Sequence, residues 1–106
     1  MVIDFFAEHC APCVRSLPAI EALHRAMPEV AVLGVSEDDE KSGARRMVER
    51  HGLTFPVVHD EGHVLAGRFR VMELPATFVV DARGVVRWRG AADRADDVRA
   101  VVDSAR

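Results

Sequence analysis

VIDFFAEHCAPC, residues 2–13, is an apolar run that stops at two cysteines separated by two residues. Its first half, VIDFFA (2–7), has the length of a strand and is almost continuously apolar, as expected of a central strand covered on both faces. Beyond CAPC, Val14, Leu17, Ile20, Leu23 and Met27 recur at helical spacing and predict an amphipathic helix. Pro12 suits a first turn, where its missing N–H would have had no partner. Pro18 lies inside the stripe and predicts a kink, and Pro28 ends the helix. The cysteines therefore fall between the C-terminal end of a buried strand and the N-terminus of a helix.

Working outward, VAVLGVS (30–36) reads as a second buried strand, and the acidic SEDDEKS after it as a loop leading into a helix over about 42–51. That helix turns Ala44, Met47 and Val48 inward and stops at Gly52. FPVVHD (55–60) is a short strand that Pro56 confines to an edge, and GHVLAGRFR (62–70) is a weak helix interrupted by Gly67. ATFVVD (76–81) is a third strong strand. Ala82-Arg83-Gly84 turns it into VVRWRG (85–90), an antiparallel hairpin, and a last helix over about 93–105 repeats Val98, Val101 and Val102. The order β-α-β-α-β-α-β-β-α predicts an α/β sandwich around a mixed sheet. Pro75 cannot donate to that sheet, so it must stand at the start of its strand. By chain order this strand lies beside the first, which brings Pro75 near the cysteines.

With 106 residues, 49% apolar and 29% charged, the chain suffices for one domain with an ordinary core. A net charge of -3 gives no electrostatic reason to expect nucleic acid or an anionic membrane as partner. The longest apolar runs fall well short of the roughly 20 residues that span a bilayer, and no secretory leader is visible. Met1 leads straight into a core strand, so the natural protein starts abruptly or the chain is an excised piece. The location is accordingly cytoplasmic as the chain stands, or extracytoplasmic if it derives from a longer precursor. A monomer is expected.

Two closely spaced cysteines can form a structural disulfide, half of a metal site or a reactive dithiol. Closing so small a loop constrains the unfolded chain little, so a staple would stabilise the domain weakly. At a helix N-terminus, free N–H groups and the positive end of the helix dipole favour a thiolate, which lowers a cysteine pKa to roughly 3.5–7.5. The dipole effect fades within a turn. Cys10 is therefore the nucleophile, and Cys13 the thiol that resolves the mixed disulfide. Asp4 is a carboxylate within the buried strand, where burial raises its pKa. It lies just before the cysteines and can accept the Cys13 proton; otherwise it faces a wet edge or bonds a polar neighbour.

VIDFFAEHCAPC, the proline five residues after the second cysteine, and LPATFVVD-ARG together resemble a thioredoxin-fold thiol–disulfide oxidoreductase. GLTFPVVHDEGHVLAGRFRV (52–71) is similar to the corresponding segment of the TlpA-like and redoxin branch. The resemblance implies a three-layer α/β/α sandwich and disulfide exchange with protein substrates, recharged by a separate redox partner and needing no bound cofactor or metal. Cys10 and Cys13 match the nucleophile and the resolving cysteine, Asp4 the buried acid, and Pro18 the helix-kinking proline. Pro75 matches the cis-proline, with Leu74 offering backbone groups to substrate. Ala11, Pro12 and His9 fall on the substrate-contacting rim.

Three features depart from that pattern. His9 stands where tryptophan usually precedes the first cysteine; protonated, it favours the Cys10 thiolate, and otherwise it is an exposed bystander. Phe6 also replaces a common tryptophan, and the only tryptophan, Trp88, lies on the hairpin. The strand or hairpin that usually precedes the first core strand is absent.

The competing expectation is a copper- or zinc-handling protein in which CAPC supplies two ligands and some of the five histidines the rest. No second CxxC exists, however, and His9, His24, His51, His59 and His63 are scattered. A peroxidase of the peroxiredoxin kind expects a threonine at the helix start that EHCAPC lacks, and a pure binding module has little use for an intact dithiol. Glu37-Asp38-Asp39-Glu40 reads as a solvated loop.

Overall fold

The computed structural model describes residues 1–91 and 95–105. All five residues of β1 (Val2–Phe6) are buried, because strands flank it on both sides and helices cover both faces. It pairs in parallel with β2 (Val32–Ser36) and antiparallel with β4 (Ala76–Val80). β2 continues in parallel to β3 (Val57–His59), and β4 folds back onto β5 (Val86–Gly90) through the turn at Gly84. The sheet runs β3-β2-β1-β4-β5, which puts β3, immediately after Pro56, at one edge and the hairpin strand at the other.

The helices are α1 (Ala11–Ala26), α2 (Lys41–His51), α3 (Val64–Arg68) and α4 (Ala95–Ala105); a short 3-10 turn, Glu61–His63, leads into α3. α1 continues through Pro18, which is exposed, and ends at Met27 just before Pro28. α2 stops where Gly52 takes a left-handed φ of 58°, a conformation that costs glycine nothing. The expected start of the last helix at residue 93 lies outside the described residues. Among the described residues no helix is long and apolar enough to cross a membrane.

Strand alternation divides the core in two. Val2 and Phe6 point to the face covered by α1 and α4, where they join Cys13, Leu17, Ile20, Val79 and Val98. Ile3 and Phe5 point to the other face with Val35 and Phe78. There Phe5, Phe69 and Phe78 form a mutually tilted trio with centroids 5.0–5.6 Å apart, which pins the segment after α3 to the sheet. Asp4, between Ile3 and Phe5 in sequence, shares the face of Val2 and Phe6, and so faces the side on which Cys13 is buried.

The solvated acidic loop expected at 37–40 is corrected. Only Asp39 and Glu40 are exposed. Asp38 accepts hydrogen bonds from the Glu8 N–H (2.8 Å) and the Ser36 hydroxyl (2.8 Å), tying the cysteine loop to β2. The Glu37 side chain is only 6% exposed and bonds His63 at 2.7 Å. The run begins at the end of a buried strand, so its first two carboxylates meet backbone and side-chain donors before the chain reaches water.

Candidate active site: a dithiol at a helix N-terminus

Cys10 is the N-cap of α1, with extended backbone angles, φ −95° and ψ 100°. Its carbonyl accepts the Val14 N–H at 3.2 Å, and its sulfur accepts the Cys13 N–H, also at 3.2 Å. A sulfur thus occupies the place where a serine or aspartate oxygen normally caps a helix. No acidic residue lies in the first helical turn to oppose a negative charge there. Cys10 and Cys13 are joined as a disulfide, with Cα atoms 5.2 Å apart. Cys10 is partly exposed, whereas Cys13 is buried beneath it in the core with Phe6 and Leu17. One cysteine of the pair is thus partly accessible and the other is enclosed.

Asp4 is fully buried, which excludes the wet-edge alternative. Thr77, its partner across the β1–β4 ladder, donates its hydroxyl to Oδ1 at 2.7 Å. Oδ2 is buried and has no hydrogen-bond partner among the described residues. Desolvation outweighs the threonine bond and pushes the carboxyl up to about 7. A buried acid with its carboxyl raised to about 7 thus stands on the sheet face against which Cys13 packs.

The Leu74–Pro75 peptide is cis and opens β4. Leu74 is half-buried against both halves of the core. Ala11 and Pro12 are exposed at the helix tip, and the His9 side chain is 95% exposed, its Nε2 3.9 Å from a Glu8 oxygen. Glu8 itself is clamped by Arg46 through two bonds of 2.6 and 2.8 Å, which hold its carboxyl below the usual range.

Two arrangements escape a reading of the residues alone. The Thr77 bond depends on strand register, and its one sequence signal is a hydroxyl set among apolar residues in ATFVV. The second groups Glu37, Asp60 and His63. Asp60 accepts the N–H groups of Leu65 and Ala66 at 3.0 Å each and is held below the usual carboxylate range despite its burial. Glu37 is pushed up to about 7 by burial, with Asp60 adding to the rise and His63 opposing it.

The metal expectation finds no support in the placement of the histidines. His24 packs edge-on to Phe55, His59 bonds the Asp38 carbonyl and His63 bonds Glu37. Among the described residues, no group of three or more histidine, cysteine or acidic side chains is placed to hold a metal ion.

Comparison with known proteins agrees with this geometry. The thiol-disulfide oxidoreductase ResA of Geobacillus kaustophilus is 32% identical over 87 residues, covering 80% of this chain and 50% of that protein. The ResA of Halalkalibacterium halodurans is 29% identical over 86 residues, covering 79% and 49%. The chain spans about half the length of these curated relatives. Among solved structures, MTB DsbF, in its mixed oxidized and reduced forms, superposes with a TM-score of 0.89 at 26% identity, covering 99% of this chain and 79% of that one. A secreted Mycobacterium tuberculosis disulfide oxidoreductase homologous to E. coli DsbE gives a TM-score of 0.87 at 22% identity, covering 97% and 79%. The fold is therefore thioredoxin-like, as the resemblance implied. Residues 1–89 match the AhpC/TSA family, and the chain belongs to that family, in its thioredoxin-like redoxin branch.

Proposed function

We propose that residues 1–106 form one thioredoxin-like domain that exchanges disulfides with protein substrates through Cys10 and Cys13. The observation that carries this reading is the Cys10 sulfur in the N-cap position of α1, accepting a helix N–H. In the reduced protein the same donor and the helix dipole stabilise a thiolate there. The names of the curated relatives support the same chemistry.

The Cys10 thiolate attacks one sulfur of a substrate disulfide. A bond forms between Cys10 and that sulfur, and the other substrate sulfur leaves as a thiolate that takes a proton from water. Cys13 then gives its proton to the Asp4 carboxylate and attacks the Cys10 sulfur. The mixed disulfide breaks, Cys10–Cys13 closes, the second substrate sulfur leaves as a thiolate that takes a proton from water, and the substrate departs as a dithiol carrying two electrons from the pair. Run backwards, the same steps oxidise a substrate. The electrons reside in the cysteines, so no bound cofactor takes part, and a separate dithiol or disulfide partner restores the starting state. Leu74 supplies backbone groups and Pro75 an apolar contact for the substrate segment, flanked by Ala11, Pro12 and the exposed His9. We take the working form to be a monomer.

The test is dithiothreitol-driven reduction of insulin disulfides, with Cys10→Ser as control. Acceleration by the wild type and none by the variant is expected; equal rates would reject the function. In single-turnover experiments at neutral pH, Asp4→Asn should slow mixed-disulfide resolution more than the initial attack.

A further inference from the structure

A cleft of about 370 Å³ opens beside the cis-proline segment on the β5 side, walled by Met72, Glu73, Pro75, Phe78, Arg89 and Gly90. We infer that it receives an acidic side chain of the disulfide-bearing substrate, with Arg89 as the partner; this rests on the oxidoreductase reading above.

Arg89 is held in place. It stands opposite Phe78 in the β4–β5 ladder, its guanidinium lies over the Phe78 ring at 5.1 Å, and its Nη2 donates to the Arg70 carbonyl at 3.3 Å. Arg70 adopts a left-handed φ of 54° without being glycine. The Phe78 ring is fixed in turn by Phe5 and Phe69. The guanidinium is thus exposed but tethered at two points.

Its charge is also unspent. Arg25, Arg46 and Arg87 each face a carboxylate, Glu21, Glu8 and Asp81 respectively. Arg89 forms no ion pair with a carboxylate among the described residues. A guanidinium offers five N–H donors in a planar fork suited to a carboxylate. Pro75, just before β4 and beside the strand that leads to Cys10, lines the same cleft as Arg89, so a substrate segment lying along Pro75 can place a side chain in reach of Arg89. Glu73 lines the cleft too, and its charge works against an incoming acid. Met72, 89% exposed, adds an adaptable apolar rim. The substrate class is a disulfide-bonded polypeptide with aspartate or glutamate a few residues from its reactive cysteine.

The experiment compares kcat/KM of the reduced protein on three peptide disulfides that differ only in a glutamate, glutamine or lysine near the cysteine. The glutamate peptide should be favoured over glutamine by about threefold to fivefold, the size of a partly exposed ion pair, with lysine slowest. High salt should shrink the preference. Arg89→Gln should erase it, Arg89→Glu should invert it, and Glu73→Gln should enlarge it. Circular dichroism of each variant verifies its fold, and Arg89→Lys, which keeps the charge, should retain part of the preference. Equal rates on all three peptides, or a glutamate preference that survives Arg89→Glu, would overturn the inference while leaving the oxidoreductase reading intact. No turnover of any peptide above the Cys10→Ser control would reject both.

Discussion

Asp4 has two buried carboxylate oxygens and, among the described residues, one hydrogen-bond donor, the Thr77 hydroxyl, to share between them. Its pKa of about 7 lies above the ordinary 3.8, so the folded state holds a proton that the unfolded chain releases between those values. That protonation favours folding below the ordinary value, and the advantage is lost as pH rises toward 7. A rise of about three pH units corresponds to about 4 kcal/mol. Asp4→Asn keeps an acceptor for Thr77 and removes the charge. Urea unfolding at pH 5 and pH 8 should show the wild type losing more stability than the variant, and the variant should be the more stable at pH 8. Identical losses would mean that Asp4 does not titrate as described. Thr77→Val should cost about 1–3 kcal/mol by leaving the acid with no partner. It should also shift the pH dependence of mixed-disulfide resolution upward; an unmoved profile would separate the threonine from the chemistry.

β2 shows how closely the elements must approach for the site to form. A methyl at Gly34 would come within 2.9 Å of Phe55, 3.0 Å of Val57 and 3.1 Å of Phe6, all side chains of packed strands or core. Gly34→Ala should therefore cost about 1–3 kcal/mol by overpacking, measured by chemical denaturation; unchanged stability would contradict the packing of β2 on β1 and β3. Most elements were legible before any coordinates, because their signals are local. VIDFFA and ATFVVD are mostly apolar runs of strand length, α1 repeats Leu17, Ile20 and Leu23 on one side, and Pro56 marks an edge. The helix-tip position of Cys10 follows from those neighbours, which is why the dithiol could be read so early. What stayed hidden depends on register between distant strands. Nothing near Asp4 announces Thr77, 73 positions away, and nothing near Glu37 announces His63. The acidic run misled for the same reason, since its composition suits water while Asp38 bonds β2 and the cysteine loop and Glu37 bonds His63.

At the scale of the molecule, two sets of carboxyls oppose each other. Glu8, Glu21 and Asp60 are held below their ordinary values by arginine, hydroxyl and backbone donors, so their contribution disappears as pH falls through those lowered values. Asp4 and Glu37 are both pushed up to about 7, so theirs disappears as pH rises toward neutrality. The gain from the lowered carboxyls ends, and the loss from the raised ones begins, around the ordinary values of 3.8 and 4.5. Stability should therefore peak near about pH 4 to 4.5 in thermal melts across pH and fall toward pH 7; a maximum above pH 8 would contradict the balance. That the sheet delivers one sulfur to the surface, at the tip of a helix, is the centre of the account. Reduced Cys13→Ser protein should be alkylated with iodoacetamide across pH, with mass spectrometry reading the modification at Cys10. The midpoint for the Cys10 thiolate should fall within roughly 3.5–7.5. A midpoint at the ordinary thiol value of about 8.5 or higher would contradict a helix-stabilised nucleophile and, with it, the proposed function.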